Sequence, residues 1–89
     1  MASYVTPELY MPSGEMVTSK VLEIVDGRVN KIYSFNSESH GLHYLTQIYL
    51  SPVKDLKNLD EWILAKTSIC EVDFYAYFIG VGNAFLPLL

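Results

Sequence analysis

The stretch Val21-Leu-Glu-Ile-Val-Asp-Gly-Arg-Val-Asn-Lys-Ile-Tyr33 restricts the fold more than any other part of the chain. Asp-Gly between two runs of β-branched residues is the signature of a type I′ turn, which needs positive φ at both central positions. A two-residue loop there sets Ile24 opposite Val29 and Val21 opposite Ile32, apolar on apolar in each case. Turn chemistry and cross-strand pairing agree, so a β-hairpin is expected over these residues.

Strict alternation along the hairpin puts Leu22, Ile24, Val29, Tyr33 and Phe35 on one face and Val17, Val21, Val25 and Ile32 on the other. A sheet with one face in water alternates more cleanly than this. Either something in the chain covers each face, or one face meets a second subunit.

Neighbouring segments extend the sheet. Glu8–Met11 reads as a short strand, with Pro12-Ser-Gly-Glu15 turning into the hairpin. The polar loop at 36–41 leads to a third strand over His43–Leu50, and Ser51-Pro52 stops it. Asn58-Leu-Asp-Glu61 has the form of a capping box, with Asp60 and Glu61 in the first turn and Lys66 in the last. That predicts one helix of about three turns, its apolar stripe formed by Leu56, Leu59, Ile63 and Trp62. Residues 69–79 alternate best of all: Cys70, Val72, Phe74, Ala76 and Phe78 against Glu71, Asp73, Tyr75 and Tyr77. The fold expected is α+β, a mostly antiparallel four- or five-stranded meander sheet with one helix packed on a face.

Eighty-nine residues make a single domain, 1–89. A chain this short buries only about 60–65 % of its unfolded surface, so its core must be dense or borrowed from a neighbour. Its composition is 51 % hydrophobic and only 18 % charged, where soluble domains carry about 25 % charged residues. The net charge is −4, with Arg28 and five scattered lysines as the only fixed cations. No basic face exists to neutralise phosphates, which argues against nucleic acid as a partner. Cys70 stands alone and forms no internal disulfide, pointing to a reducing, cytoplasmic setting. Met1-Ala-Ser-Tyr4 carries no basic, then apolar, leader pattern. Phe74–Leu89 is uncharged, but it is interrupted by Gly80, Gly82, Asn83 and Pro87 and is shorter than the roughly 20 residues of a spanning helix. A membrane anchor is not expected.

Glu8-Leu-Tyr-Met-Pro-Ser-Gly14, Glu23-Ile-Val-Asp-Gly-Arg-Val29, Tyr33-Ser-Phe35 with Glu38, and Ile48-Tyr-Leu50 together carry a resemblance. Residues 8–50 resemble small uncharacterised bacterial β-sheet proteins, with a hairpin phrase similar to the β-domain flanking amidohydrolase barrels. The resemblance implies a meander sheet and no known chemistry. The amidohydrolase metal motif is absent from this sequence, so that activity does not carry over.

His40 and His43, with Glu38, are the one cluster that invites a metal or acid–base reading. Two histidines at i and i+3 point to opposite sides of a strand, and zinc needs three or four converging ligands. No metal or other cofactor is expected. A triad of Ser37 or Ser39, His40 and Glu38 would be contiguous in sequence, whereas triads converge from separate segments. Cys70 belongs to the inward face of its strand, where a thiol acts as a small hydrophobe. Gly80-Val-Gly82 lacks the third glycine, the helix and the lysine of a phosphate loop. No catalytic set assembles.

What remains is aromatic: seven tyrosines, four phenylalanines and a tryptophan. Such rings bury area at low entropic cost and are enriched at interfaces. The expected function is a non-catalytic structural or protein-interaction module that self-associates, or binds another protein, through an apolar sheet face or its C-terminal strand. Tyr75, Tyr77, Phe85 and Leu86 are the candidate interface. The alternative is a small-ligand-binding or enzyme accessory domain with a cleft near the 36–43 loop, lined by Tyr33, Phe35, His40 and His43.

Overall fold

The computed structural model describes residues 2–36, 41–67 and 74–88. In chain order it contains β1 (Ala2–Tyr10), β2 (Met16–Val25), β3 (Arg28–Ser34), β4 (His43–Tyr44), β5 (Ile48–Ser51), helix α1 (Leu59–Leu64), β6 (Tyr75–Ile79), a 3₁₀ turn at Val81–Asn83 and β7 (Phe85–Pro87).

β1 and β2 pair antiparallel from Ala2 opposite Ile24 to Tyr10 opposite Met16. Their connection closes with Met11 N–H on the Glu15 carbonyl and Gly14 N–H on the Met11 carbonyl, both at 2.8 Å. β2 and β3 turn at Asp26-Gly27, with φ of 53° and 79°, the two positive values a type I′ turn requires. Ile24 lies opposite Val29 as expected, but the register then shifts. Glu23 faces Lys31, Leu22 faces Ile32, and Val21 faces Tyr33 rather than Ile32. Asn30 is the extra residue of a β-bulge, and beyond a bulge every side chain changes face.

A second reversal sits at Pro7 and Ser19. Neither appears as a ladder pair: proline has no N–H to give, and Ser19 adopts φ of 52°. Both strands change parity there. Leu22 and Ile24 reach the core on one side of the corner, and Val17 reaches it on the other. Together the two irregularities move Val17 and Ile32 to the inner face and Tyr33 and Phe35 to the outer one.

The meander expected from the sequence stops at β3. The chain then crosses to the free side of β1, where β4 and β5 pair with it in parallel: Tyr4 with His43, Leu9 with Ile48. The predicted strand His43–Leu50 is broken between these two pieces. β6 runs antiparallel to β5, with Tyr49 opposite Tyr77, and meets β3 at Arg28 opposite Tyr75, where Val29 N–H donates to the Phe74 carbonyl. The ring β1–β2–β3–β6–β5–β1 is therefore closed. The fold is a small five-stranded, mixed β-barrel and not an α+β meander sheet with a helix on its face. Closure is the physical reason for the difference: a short chain with alternating strands removes its sheet edges by joining first to last.

Side chains fill the barrel, as they do in small barrels. Leu9, Leu22, Ile24, Ile48, Leu50, Ala76 and Leu88 form this inner core, with Val29, Ile32 and Phe78 packed against it. A second cluster lies outside the barrel wall. Tyr49, Leu56, Trp62, Tyr77 and Phe85 are buried there beneath the segment that carries α1. Among the described residues no helix is long and apolar enough to cross a membrane.

The capping box forms at the predicted place: Asn58 Oδ1 accepts the Glu61 N–H at 2.9 Å, while Glu61 Oε1 accepts the Lys57 N–H at 2.7 Å. The helix has only six residues, with no basic residue in its last turn. Lys66 instead holds its ammonium over the Trp62 ring, 5.3 Å from the centroid. Trp62 is the residue that points inward, and Ile63 is exposed. The indole decides this orientation by donating its N–H to the Leu50 carbonyl at 2.7 Å.

Candidate interaction surface

Residues on β6 alternate as the sequence implied, with Ala76 and Phe78 facing the barrel core and Tyr75 and Tyr77 facing away. Facing away does not mean facing solvent. Tyr77 is only 1 % exposed, and its hydroxyl donates to the Val53 carbonyl at 2.7 Å and accepts the Leu56 N–H at 3.3 Å. Phe85 packs on Tyr77 with centroids 5.5 Å apart. Three of the four predicted interface residues, Tyr75, Tyr77 and Phe85, thus come together in the second internal cluster, and only Leu86 is exposed. The chain's own 52–65 segment fills the place where a partner was expected.

Tyr10 and Tyr49 continue this layer as a parallel stack at 4.6 Å, and Trp62 meets Tyr49 edge-on at 5.1 Å. At the rim Tyr10 donates its hydroxyl to Glu8 Oε1 at 3.0 Å. Gln47 Nε2 reaches the same oxygen at 3.5 Å, and Tyr49 donates to Gln47 Oε1 at 3.5 Å. The Glu8 hydrogen bond, followed by burial, holds the Tyr10 phenol above its ordinary pKa. Burial first, and then the Glu8 charge, raises Tyr49, and burial raises Tyr77. All three phenols stay protonated and serve as structural donors.

Of the four residues of the alternative cleft, the three that are described, Tyr33, Phe35 and His43, do not share one site. His43 stands on β4 beside Tyr4, with ring centroids 5.4 Å apart. It lines a groove of about 420 Å³ at the barrel mouth, whose floor is Leu45, Phe78 and Leu88. His40 and Glu38 lie outside the described residues. So do Cys70, Glu71 and Asp73. Among the described residues no group of three or more His, Cys, Asp or Glu side chains stands close enough to hold a metal ion.

Tyr33 and Phe35 belong to a different surface. Cross-strand register aligns Tyr44 with Val5, Val5 with Val21 and Val21 with Tyr33, so the four share the outer face of β4, β1, β2 and β3. Phe35 follows one step along the same face, its N–H bonded to the Ser19 carbonyl at 3.0 Å. A shallow depression of about 200 Å³ between Phe35 and Tyr44 has Val5, Pro7 and Ser19 as its floor. Tyr33, Phe35 and Tyr44 are 37 %, 44 % and 65 % exposed, whereas Val21 between them is fully buried. Glu23 and Lys31, opposite each other, form the next row.

Comparison with family models, curated proteins and solved structures finds no match to this chain. Its surface has to be read from its own chemistry. Tyr33, Tyr44 and Phe35 are exposed on this sheet face beside Val5, with Glu23 and Lys31 at its edge. They offer area to bury. The sequence did not place Tyr44 beside Tyr33 and Phe35, because that neighbourhood depends on the pairing of β4 with β1, far apart in the chain.

Proposed function

We propose that this chain is a non-catalytic association module that pairs with a second copy of itself through the outer face of β2 and β3. The observation that carries this reading is the exposure of Tyr33 and Phe35 on one face of the sheet, beside Val21. Aromatic side chains on a rigid strand lose little entropy on burial and are over-represented in contact surfaces.

The size of the face sets the strength. Strand spacing and rise give two strands by five residues a footprint of roughly 10 by 17 Å, well below the ~800 Å² per partner of a standard stable interface. The dimer is accordingly weak, with a dissociation constant in roughly the micromolar to millimolar range. Light scattering over a concentration series tests the reading. The mass should rise towards that of a dimer as concentration approaches ~1 mM, and the double variant Tyr33→Ser/Phe35→Ser, folded by circular dichroism, should stay monomeric. A wild-type chain that remains monomeric throughout, or a double variant that associates equally well, refutes it.

A further inference from the structure

The two strands of this face carry complementary columns. Along β2 the outward residues are Glu23, Val21 and Ser19, and along β3 they are Lys31, Tyr33 and Phe35. One column is acidic, then small, then small. Its neighbour is basic, then large, then large. The Asn30 bulge creates the match. Without it Lys31 would face Leu22 on the core side, and Ile32 would lie outward beside Val21.

A face-to-face pair of identical sheets is isologous, and its twofold axis lies in the plane between them. An axis running across the strands, through the Val21–Tyr33 row, sets ring on ring and valine on valine. It also places Glu23 over Ser19 and leaves the charges without counterparts. An axis running along the strands, midway between β2 and β3, superposes each column on the other. Tyr33 then lies over Val21, Phe35 over Ser19, and Lys31 over Glu23. The Ser19 row gains a complement in size and the Glu23 row one in charge, and the relation is reciprocal; Val21, fully buried within its own chain, adds no contact area.

Resting on the self-association reading above, we propose that the dimer is built on this second axis, with Glu23 of each copy paired to Lys31 of the other. Packed sheets lie about 10 Å apart, a gap that a glutamate and a lysine reaching from opposite sides can span. The two charge pairs sit at the rim of the apolar rows, where they select register and partner more than they add affinity. They are the specificity determinants of the interface.

Sedimentation equilibrium of charge-reversed chains tests the axis. Lys31→Glu alone and Glu23→Lys alone each place like charges together twice, and should weaken self-association by about tenfold or more. An equal mixture of the two variants should regain wild-type affinity, because the acidic columns of one chain then meet the basic columns of the other. The doubly reversed chain, Glu23→Lys/Lys31→Glu, should also dimerise like the wild type. Single variants that dimerise with unchanged affinity, or a mixture that gains nothing over its components, overturn this axis while leaving self-association standing. A wild-type chain that is monomeric at every concentration overturns the reading beneath it. Both side chains are at the surface of paired strands, and matching circular dichroism spectra establish that each variant is folded.

Discussion

Removing one oxygen from Tyr77 separates a structural role from an interface role. In Tyr77→Phe the ring keeps its place against Phe85 and Tyr49, so no cavity opens, and the loss is confined to two hydrogen bonds. The Leu56 N–H is buried, and leaving it without an acceptor costs about 1–3 kcal/mol. Val53 lies at the surface, where water can take over its carbonyl, so that bond costs about 0.5–1.5 kcal/mol. The sum is about 1.5–4.5 kcal/mol, which for a domain of this size lowers Tm by roughly 6–36 °C. Urea unfolding followed by Trp62 fluorescence, at a concentration where the chain is monomeric, measures it. The midpoint should fall with the slope unchanged. A loss below about 0.5 kcal/mol would mean that the hydroxyl does not hold the 52–57 segment against the barrel. Were Tyr77 instead an exposed contact residue, the same substitution would alter association and leave monomer stability alone.

Two further perturbations test the frame around this cluster. Gly27→Ala places a Cβ where its nearest contact is the Leu88 carbonyl at 3.5 Å, so space is adequate and the penalty is the left-handed backbone at φ of 79°, about 1–2 kcal/mol. Unchanged denaturant stability in that variant would rule out the type I′ turn. The raised phenols of Tyr10, Tyr49 and Tyr77 make stability depend on alkaline pH. The folded state binds these protons more tightly than the unfolded state does. Their contribution is therefore complete below the unfolded pKa near 10 and is lost as pH rises through the folded values. Unfolding free energy should decline above about pH 10 together with the growth of tyrosinate absorbance, and a flat profile across that range would contradict the burial assigned to these rings.

Local chemistry was legible and closure was not. Asp26-Gly27 turned where its dihedral preference demanded, Asn58 capped its helix, and Ala76 and Phe78 turned inward against Tyr75 and Tyr77. Each depends on residues within a few positions of one another. Strict alternation failed at Asn30, because one inserted residue reverses a strand, and at Pro7 and Ser19, because a missing N–H and a positive φ do the same. Those residues are weak strand formers, and that was the available warning. The parallel pairing of β1 with β5 joins Leu9 to Ile48, far apart in the chain. Its stabilisation comes from the shared barrel interior, which no periodicity in either segment encodes. For the surface, Tyr33 and Phe35 could be singled out from the sequence, but their companion could not. Alternation set them apart from Val21, and only the bulge returns them to its face.

The apparent excess of apolar residues in the hairpin has a physical resolution in these two irregularities. Counted in strict alternation, both faces were half apolar. With the bulge and the corner in place, Val17, Leu22, Ile24, Val29 and Ile32 gather on the barrel interior, and the outer face keeps Val21, Tyr33 and Phe35. A closed barrel still has an outer wall, and that wall must be covered or wetted on every side. On β5 and β6 the covering is internal: the chain from Pro52 to Ala65 lies over Tyr49 and Tyr77, anchored by Trp62 and the Tyr77 hydroxyl. Over the outer face of β2 and β3 the aromatic rings remain in contact with solvent. Charge could have wetted that wall, since an exposed strand tolerates lysine or glutamate at every second position. Instead the sequence places one of each, directly opposite, in a single row beside two rings. Within the chain the two charges form a cross-strand pair, and it is this row that would register the proposed self-complementary contact.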